Sequence, residues 1–283
     1  MGLINYNIEK YTPQQLVAIP LVLFIISLVV IGSTFASTGM PVTPGIDFSG
    51  GTAVTIITTD SDEQLQATFS GYPLSEISDM NNGKFLKFGS MDDAKYQTLA
   101  QLISQKYPDA KIDQIGESFG KSLQSQAAIA LVFSFIGMAI VVFLSFRTLV
   151  PSAAVVMSAL ADMAMTAAVM NIIGIPLSLG TTAALLMLIG YSVDSDILLT
   201  NRVLKRQGKL NDKLMGAFHT GMIMTSTTLA AVTALFVVSW FGSVQILMEI
   251  SAVLLIGLVA DVLNTWLTNV GILKWYVLKG GGK

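Results

Sequence analysis

The chain has 283 residues, of which 53% are hydrophobic and 12% charged, with a formal net charge of −2 and a mean hydropathy of +0.67. A soluble domain carries roughly 25% charged residues, so this composition excludes an ordinary soluble globule and points to a polytopic α-helical membrane protein. The near-neutral balance gives no sign of a nucleic-acid partner. The absence of cysteine removes disulfides and thiolate metal sites, and a single histidine, His219, is too few for a histidine-based metal site or triad.

A membrane-spanning helix needs about 20 predominantly apolar residues. In chain order, residues 16–36, 127–146, 150–173, 178–200, 222–241 and 246–270 meet this test. The first run has a longer apolar core than a signal peptide and only Lys10 as a flanking positive charge, which favours an uncleaved span. Arg147 lies between the second and third spans. Arg202, Lys205, Arg206, Lys209 and Lys213 lie between the fourth and fifth, and Lys274, Lys279 and Lys283 follow the sixth. The connections after the third and fifth spans carry no Lys or Arg. This bias places both termini in the cytoplasm and the long segment after span one outside the cell membrane. The expected organisation is a cytoplasmic N-terminus with span one (1–36), an external domain (37–120), a bundle of the remaining spans (121–273) and a cytoplasmic tail (274–283).

Within the external segment, the β-branched run at 52–59 reads as a strand. Asp60, with Glu63 as capping-box partner, predicts a helix ending near Gly71. Residues 74–80 and 84–88 flank Asn82-Gly83, a type I′ hairpin signal. Ser90 with Asp93 predicts a second helix, which Pro108 stops, and 110–115 supplies a last strand. The order β-α-β-β-α-β is the ferredoxin-like split pattern, a small α+β unit suited to packing or interaction. It shows no catalytic constellation. The preceding stretch Pro44 to Thr52, rich in glycine, is expected to be a turn into the first strand. It is not a phosphate loop, because no Gly-Lys-Ser/Thr follows.

Within span four, Gly190-Tyr191-Ser192-Val193-Asp194-Ser195-Asp196 places two carboxylates in an apolar helix. An ionised carboxylate near the bilayer centre costs about 2.5–3.5 kcal/mol on insertion scales. On a helix the two point about 200° apart. Asp194 shares a stripe with Met187, Gly190, Leu198 and Asn201, and Gly190 permits close helix contact. Asp194 is therefore expected to face a neighbouring helix of the bundle, and Asp196 a different partner or a cavity. Asp162 in span three and Asp261 in span six are further acids at span midpoints, with Asn264 on the face of Asp261 at i+3. These acids suggest proton binding. The alternative is a structural role, with the acids hydrogen-bonded to Thr225, Thr227 or Thr228 of span five.

Two motifs in a fixed order, Gly45-Ile46-Asp47-Phe48-Ser49-Gly50-Gly51-Thr52 after span one and Gly190-Tyr191-Ser192-Val193-Asp194 in span four, give the chain its resemblance. It resembles the SecF family of protein-export membrane proteins, one half of the SecD–SecF accessory complex of the Sec translocon. The likeness covers nearly the whole chain. It implies a six-span half of a resistance-nodulation-division transporter and a SecD-like six-span partner. It also implies work beside the Sec translocon channel on a translocating polypeptide, use of the proton gradient, and neither enzymatic activity nor a cofactor. Bacterial members commonly read Gly-Tyr-Ser-Ile-Asn-Asp in span four. Here Ser195 holds the Asp position, Asp194 falls where SecD-like sequences place their carboxylate, and Asp196 is additional. Arg202 matches the family's Arg at the end of this span, while Gly221 stands near the place of an Arg that bacterial members often carry before span five. These differences resemble an archaeal-type member. The ion-coupling candidates are thus Asp194, Asp196, Asp162, Asp261, Asn264 and Arg202, with Gly45, Asp47, Phe48, Gly50, Gly51, Gly190 and Tyr191 as family motif. A translocon-stabilising subunit without ion coupling and a small-solute transporter of the same superfamily stand as alternatives. An intramembrane aspartyl hydrolase does not fit, because Tyr191 is followed by Ser192 rather than Asp.

Overall fold

The structure, a computed structural model, describes residues 10–80 and 83–280. Among these, six helices are long and apolar enough to cross a membrane. The first, α1 (Pro13–Thr38), starts at a capping box in which Thr12 accepts from Gln15 N and Gln15 returns the bond to Thr12 N. It ends at Gly39, whose φ of 74° is left-handed. A single-turn helix α2 (Ile46–Ser49) replaces the expected turn and leads into β1 (Gly51–Ile56).

The small domain continues with α3 (Asp62–Thr68), β2 (Leu74–Met80), β3 (Gly83–Phe88), α4 (Asp93–Lys106) and β4 (Lys111–Ile115). Its four strands form an antiparallel sheet in the order β2-β3-β1-β4, the arrangement that the ferredoxin-like pattern predicts. Leu65, Phe69, Leu99 and Ile103 of the helical side and Val54, Ile56, Leu86 and Phe88 of the sheet are fully buried together. The hairpin joins Met80 to Gly83; Asn82 lies outside the described residues. Both helix caps sit later than expected. Ser61 with Gln64 forms the capping box of α3, because the Asp60 carboxylate accepts instead from Tyr107 Oη at 2.6 Å. Asp92, not Ser90, caps α4 by accepting from Lys95 N at 2.7 Å.

The remaining spans are α5 (Glu117–Phe146), α6 (Leu149–Ile173), α7 (Leu179–Lys205), α8 (Leu210–Phe241) and a last helix running from Gln245 to Leu278. That last helix is α-helical at α9 (Gln245–Leu263), widens to a π-helical turn over Asn264–Asn269, and resumes as α10 (Val270–Leu278). Several helices exceed the apolar runs. The expected loop between spans four and five is mostly helix, because Leu214 and Ala217 pack with Leu199, Val203, Trp266 and Leu273. Helices α6, α7 and α9 form the inner layer, with Ala159, Ala184, Leu188 and Val253 fully buried. Outer helices leave large apolar side chains uncovered, among them Val29, Phe133, Leu144 and Val238, as lipid-facing helices do.

Candidate functional site

The glycine-rich stretch is a clamp between the small domain and one end of the bundle. Gly45 N donates to Leu177 O at 2.7 Å, and Leu177 N donates to Thr43 O at 2.8 Å. Asp47 Oδ2 accepts from Leu179 N at 2.7 Å, so its charge sits on the N-terminal turn of α7, where the helix dipole favours an anion. Phe48 is buried with Met170, Leu177, Leu185 and Leu254. Gly50 has φ 73° and ψ 166°, a region essentially open only to glycine. A Cβ there would lie 2.8 Å from Glu117 Cα, and one on Gly51 would lie 2.5 Å from Phe88 O. The motif residues Gly45, Asp47, Phe48, Gly50 and Gly51 are thus accounted for by packing and helix capping.

The second cluster is built from three polar stripes at i, i+4 spacing, which share one helix face. Helix α6 carries Ser158, Asp162 and Thr166; α7 carries Ser192, Asp196 and Thr200; and the last helix carries Asp261, Thr265 and Asn269. All nine are buried. Asp162 Oδ2 accepts from Ser192 Oγ at 2.6 Å, and its Oδ1 from Asn264 Nδ2 at 2.6 Å. Asp196 Oδ1 accepts from Asn269 Nδ2 at 2.7 Å and lies 2.9 Å from Thr265 Oγ1. The same Thr265 hydroxyl lies 3.0 Å from Asp261 Oδ1. Asp162, Asp196 and Asp261 are in electrostatic reach of one another. Ser158 interacts with Asp196, yet Ser158 Oγ, Thr200 Oγ1 and Asp196 Oδ2 have no hydrogen-bond partner among the described residues. No ion pair reaches this cluster among the described residues.

The geometry corrects the expected orientation of the span-four acids. Asp194 is exposed on the flank of the chain, with Gly190 and Tyr191 on the same uncovered stripe. A Cβ on Gly190 would meet nothing within 4 Å. Asp196 is the acid that enters the bundle, with no exposed surface. Asn264 pairs with Asp162 rather than with Asp261. Thr227 and Thr228 donate to their own helix at Met224 O, and the acids take their bonds from Ser192, Asn264, Thr265 and Asn269 instead. Arg202 Nη2 donates to Thr220 Oγ1 at 2.8 Å, bracing α7 to α8. At Gly221, a Cβ would lie 2.4 Å from Trp266 Cζ2. The place near which bacterial relatives often carry an Arg is therefore covered by an indole.

Six membrane-crossing helices, a ferredoxin-like domain after the first, and an acid core between the inner helices define a polytopic membrane protein with a resistance-nodulation-division type of fold. The family model for the protein export membrane protein SecD/SecF, C-terminal, matches residues 95–279. The protein-export membrane protein SecF of Methanolacinia petrolearia is 55% identical over 99% of this chain and 100% of its own length. That of Haloferax volcanii is 42% identical over 96% of this chain and 95% of its own. The crystal structure of SecDF, a translocon-associated membrane protein from Thermus thermophilus, matches with a TM-score of 0.76 at 20% identity, covering 94% of this chain. This chain spans 38% of that longer one. The chain belongs to the SecD/SecF family of protein-export membrane proteins.

Proposed function

We propose that this chain is the SecF-type half of a proton-driven accessory to the protein-export machinery, in which the buried acids Asp162, Asp196 and Asp261 take up and release the coupled proton. The observation that carries the reading is their burial side by side, with hydrogen bonds that come, among the described residues, from neutral groups only. Three ionised carboxylates together in a low-dielectric core, with no cation beside them among the described residues, cost far more than holding protons there. Exchange of those protons alters which hydroxyls and amides each carboxyl can accept from. Such a change drives work only if two arrangements of α6, α7 and the last helix differ in proton affinity.

The names of the relatives support an export role. A six-span chain that matches 38% of a longer SecDF chain supports a SecD-like six-span partner. The uncovered α7 stripe of Met187, Gly190, Tyr191 and Asp194 is the face we assign to it, because a carboxylate in a span requires a polar neighbour rather than lipid. In this reading the chain lies in the cell membrane with both termini cytoplasmic, and the ferredoxin-like domain sits outside beside the translocon channel. Clamped to α7 through Asp47 and Phe48, that domain follows the bundle's movement and biases the emerging polypeptide outward.

The test uses membrane vesicles carrying the translocon, the partner and this chain. Export of a secretory polypeptide is measured with the proton gradient intact and collapsed by an ionophore. Asp162→Asn, an isostere of the protonated acid, is expected to remove the stimulation by the gradient while partner association persists. Unchanged stimulation favours a purely structural polar core, a role that the bonds from Ser192 and Asn264 also suit.

A further inference from the structure

Thr265 stands between two carboxyls. Its Oγ1 lies 2.9 Å from Asp196 Oδ1 and 3.0 Å from Asp261 Oδ1. A hydroxyl carries one proton and two acceptor lone pairs. It can therefore donate to only one of these oxygens at a time. The second contact is a hydrogen bond only if that carboxyl carries a proton and donates it to Thr265. Asp196 Oδ1 already accepts from Asn269 Nδ2 at 2.7 Å, which suits it as the acceptor and leaves Asp261 as the donor.

The hydroxyl is also freed from the bond that helical hydroxyls ordinarily make. Thr166, Thr182, Thr220 and Ser251 donate to the backbone carbonyl four residues earlier, at Asp162, Ser178, Gly216 and Leu247. Thr265 bonds the side chain of Asp261 four residues earlier instead. It does so within the π-helical turn Asn264–Asn269. Single π turns inside α-helices occur frequently at functional sites. The groups around the Asp261–Thr265–Asp196 bridge come from each packed element. They are Asp196 and Ser192 of α7, Asp162 of α6, and Asp261 and Asn269 of the last helix.

We infer that Thr265 takes part directly in the proton step, as a hydroxyl relay linking Asp261 and Asp196. In the step, the O–H bond of the Asp261 carboxyl breaks as its proton passes to Thr265 Oγ1. The original Thr265 O–H bond breaks as that proton passes to Asp196 Oδ1. Thr265 ends as the same neutral alcohol, Asp261 as a carboxylate and Asp196 as a carboxylic acid. One proton has moved from the last helix to α7, and no oxidant or co-reactant is involved. The inference rests on the proton-coupled reading of the acid core.

The experiment compares T265V, which removes the hydroxyl at nearly constant shape, with T265S, which restores it, in the gradient-driven vesicle assay. T265V is expected to lose gradient stimulation by roughly tenfold or more, and T265S to regain it to within about twofold of wild type on the same scale. Infrared spectra of the purified protein supply a readout that a packing role would not move. With the bridge present, Asp196→Asn shifts the protonated-carboxyl band that Asp261→Asn removes; with T265V it no longer does. Wild-type stimulation in T265V, while Asp196→Asn abolishes it, overturns the relay and leaves proton coupling standing. Wild-type stimulation in Asp196→Asn itself overturns both. If T265V does not assemble, the band test in the otherwise wild-type chain decides: an Asp261 band unmoved by Asp196→Asn overturns the relay.

Discussion

Placing a methyl group on Gly221 probes the packing that holds the π-helical turn. The new Cβ would lie 2.4 Å from Trp266 Cζ2 and 2.9 Å from Cη2, well inside contact distance, so the indole has to move. Trp266 is buried among Leu199, Val203, Leu214 and Val270 and stacks edge-on to Phe218 with ring centroids 5.1 Å apart. Little free space surrounds it, and overpacking of this kind costs about 1–3 kcal/mol. Trp266→Phe removes the outer ring atoms that Gly221→Ala would strike, at a cost on the order of 1–3 kcal/mol of lost contacts. The two losses share one cause, so the double variant is expected to be less destabilised than the sum by about 1 kcal/mol or more. The assay is SDS-titrated unfolding in mixed micelles, followed by circular dichroism. Trp266 directly follows Thr265 in the chain, so Gly221→Ala alone is also expected to lower gradient-driven export. Additivity within about 0.5 kcal/mol would refute the packing argument.

Two further outcomes concern the small domain. Burial first, and then the bond to Asp60, hold the Tyr107 hydroxyl above its ordinary range near 10. The folded state keeps that proton after the unfolded chain loses it, so this contribution is complete below about pH 10 and declines as pH rises above it. Lys84, held charged mainly by Asp62 and then by Asp79, adds a loss in the same alkaline direction. Comparison of wild type with Tyr107→Phe isolates the tyrosine. The variant is expected to lose about 1–2 kcal/mol at neutral pH and to show a shallower alkaline decline; parallel profiles across pH 9–12, an interval on the order of the ordinary phenol range, would contradict this. Gly50→Ala forces a side chain into a glycine-only conformation and against Glu117 Cα at 2.8 Å. It is expected to cost about 1–3 kcal/mol and to expose the domain junction to limited proteolysis; a wild-type digestion pattern would show that the clamp is not strained by a side chain.

The architecture was legible because its signals are local. Apolar runs of the right length marked every span, and alternating strand and helix signals marked the ferredoxin-like order. The caps shifted because competition for a side chain is not local: Asp60 is taken by Tyr107, 47 residues away, so Ser61 caps α3 instead. Helix α8 began 12 residues earlier than its apolar run because Leu214 and Ala217 face the bundle across a polar sequence. At the acid site, helical geometry separated Asp194 from Asp196 but did not say which faced inward. Flanking polarity carries that information. Asp196 has Ser192 and Thr200 one turn to either side, whereas Asp194 has Gly190 and Leu198. The same spacing in Ser158-Asp162-Thr166 and Asp261-Thr265-Asn269 would have drawn Ser192, Thr265 and Asn269 into the candidate set. The π-helical turn has no comparable signal, since it depends on how the last helix meets α6 and α7.

In the proposed mechanism the proton acts at the acid buried in the bundle, Asp196, and not at its exposed neighbour, Asp194. Its most direct test measures gradient-stimulated export in vesicles carrying Asp196→Asn or Asp194→Asn, each at matched abundance and with partner association verified. Stimulation is expected to be lost, by roughly a hundredfold or more in the proton-dependent rate, in Asp196→Asn and retained in Asp194→Asn. Stimulation retained in Asp196→Asn and lost in Asp194→Asn would contradict it and move the coupling site to the α7 face assigned to the partner.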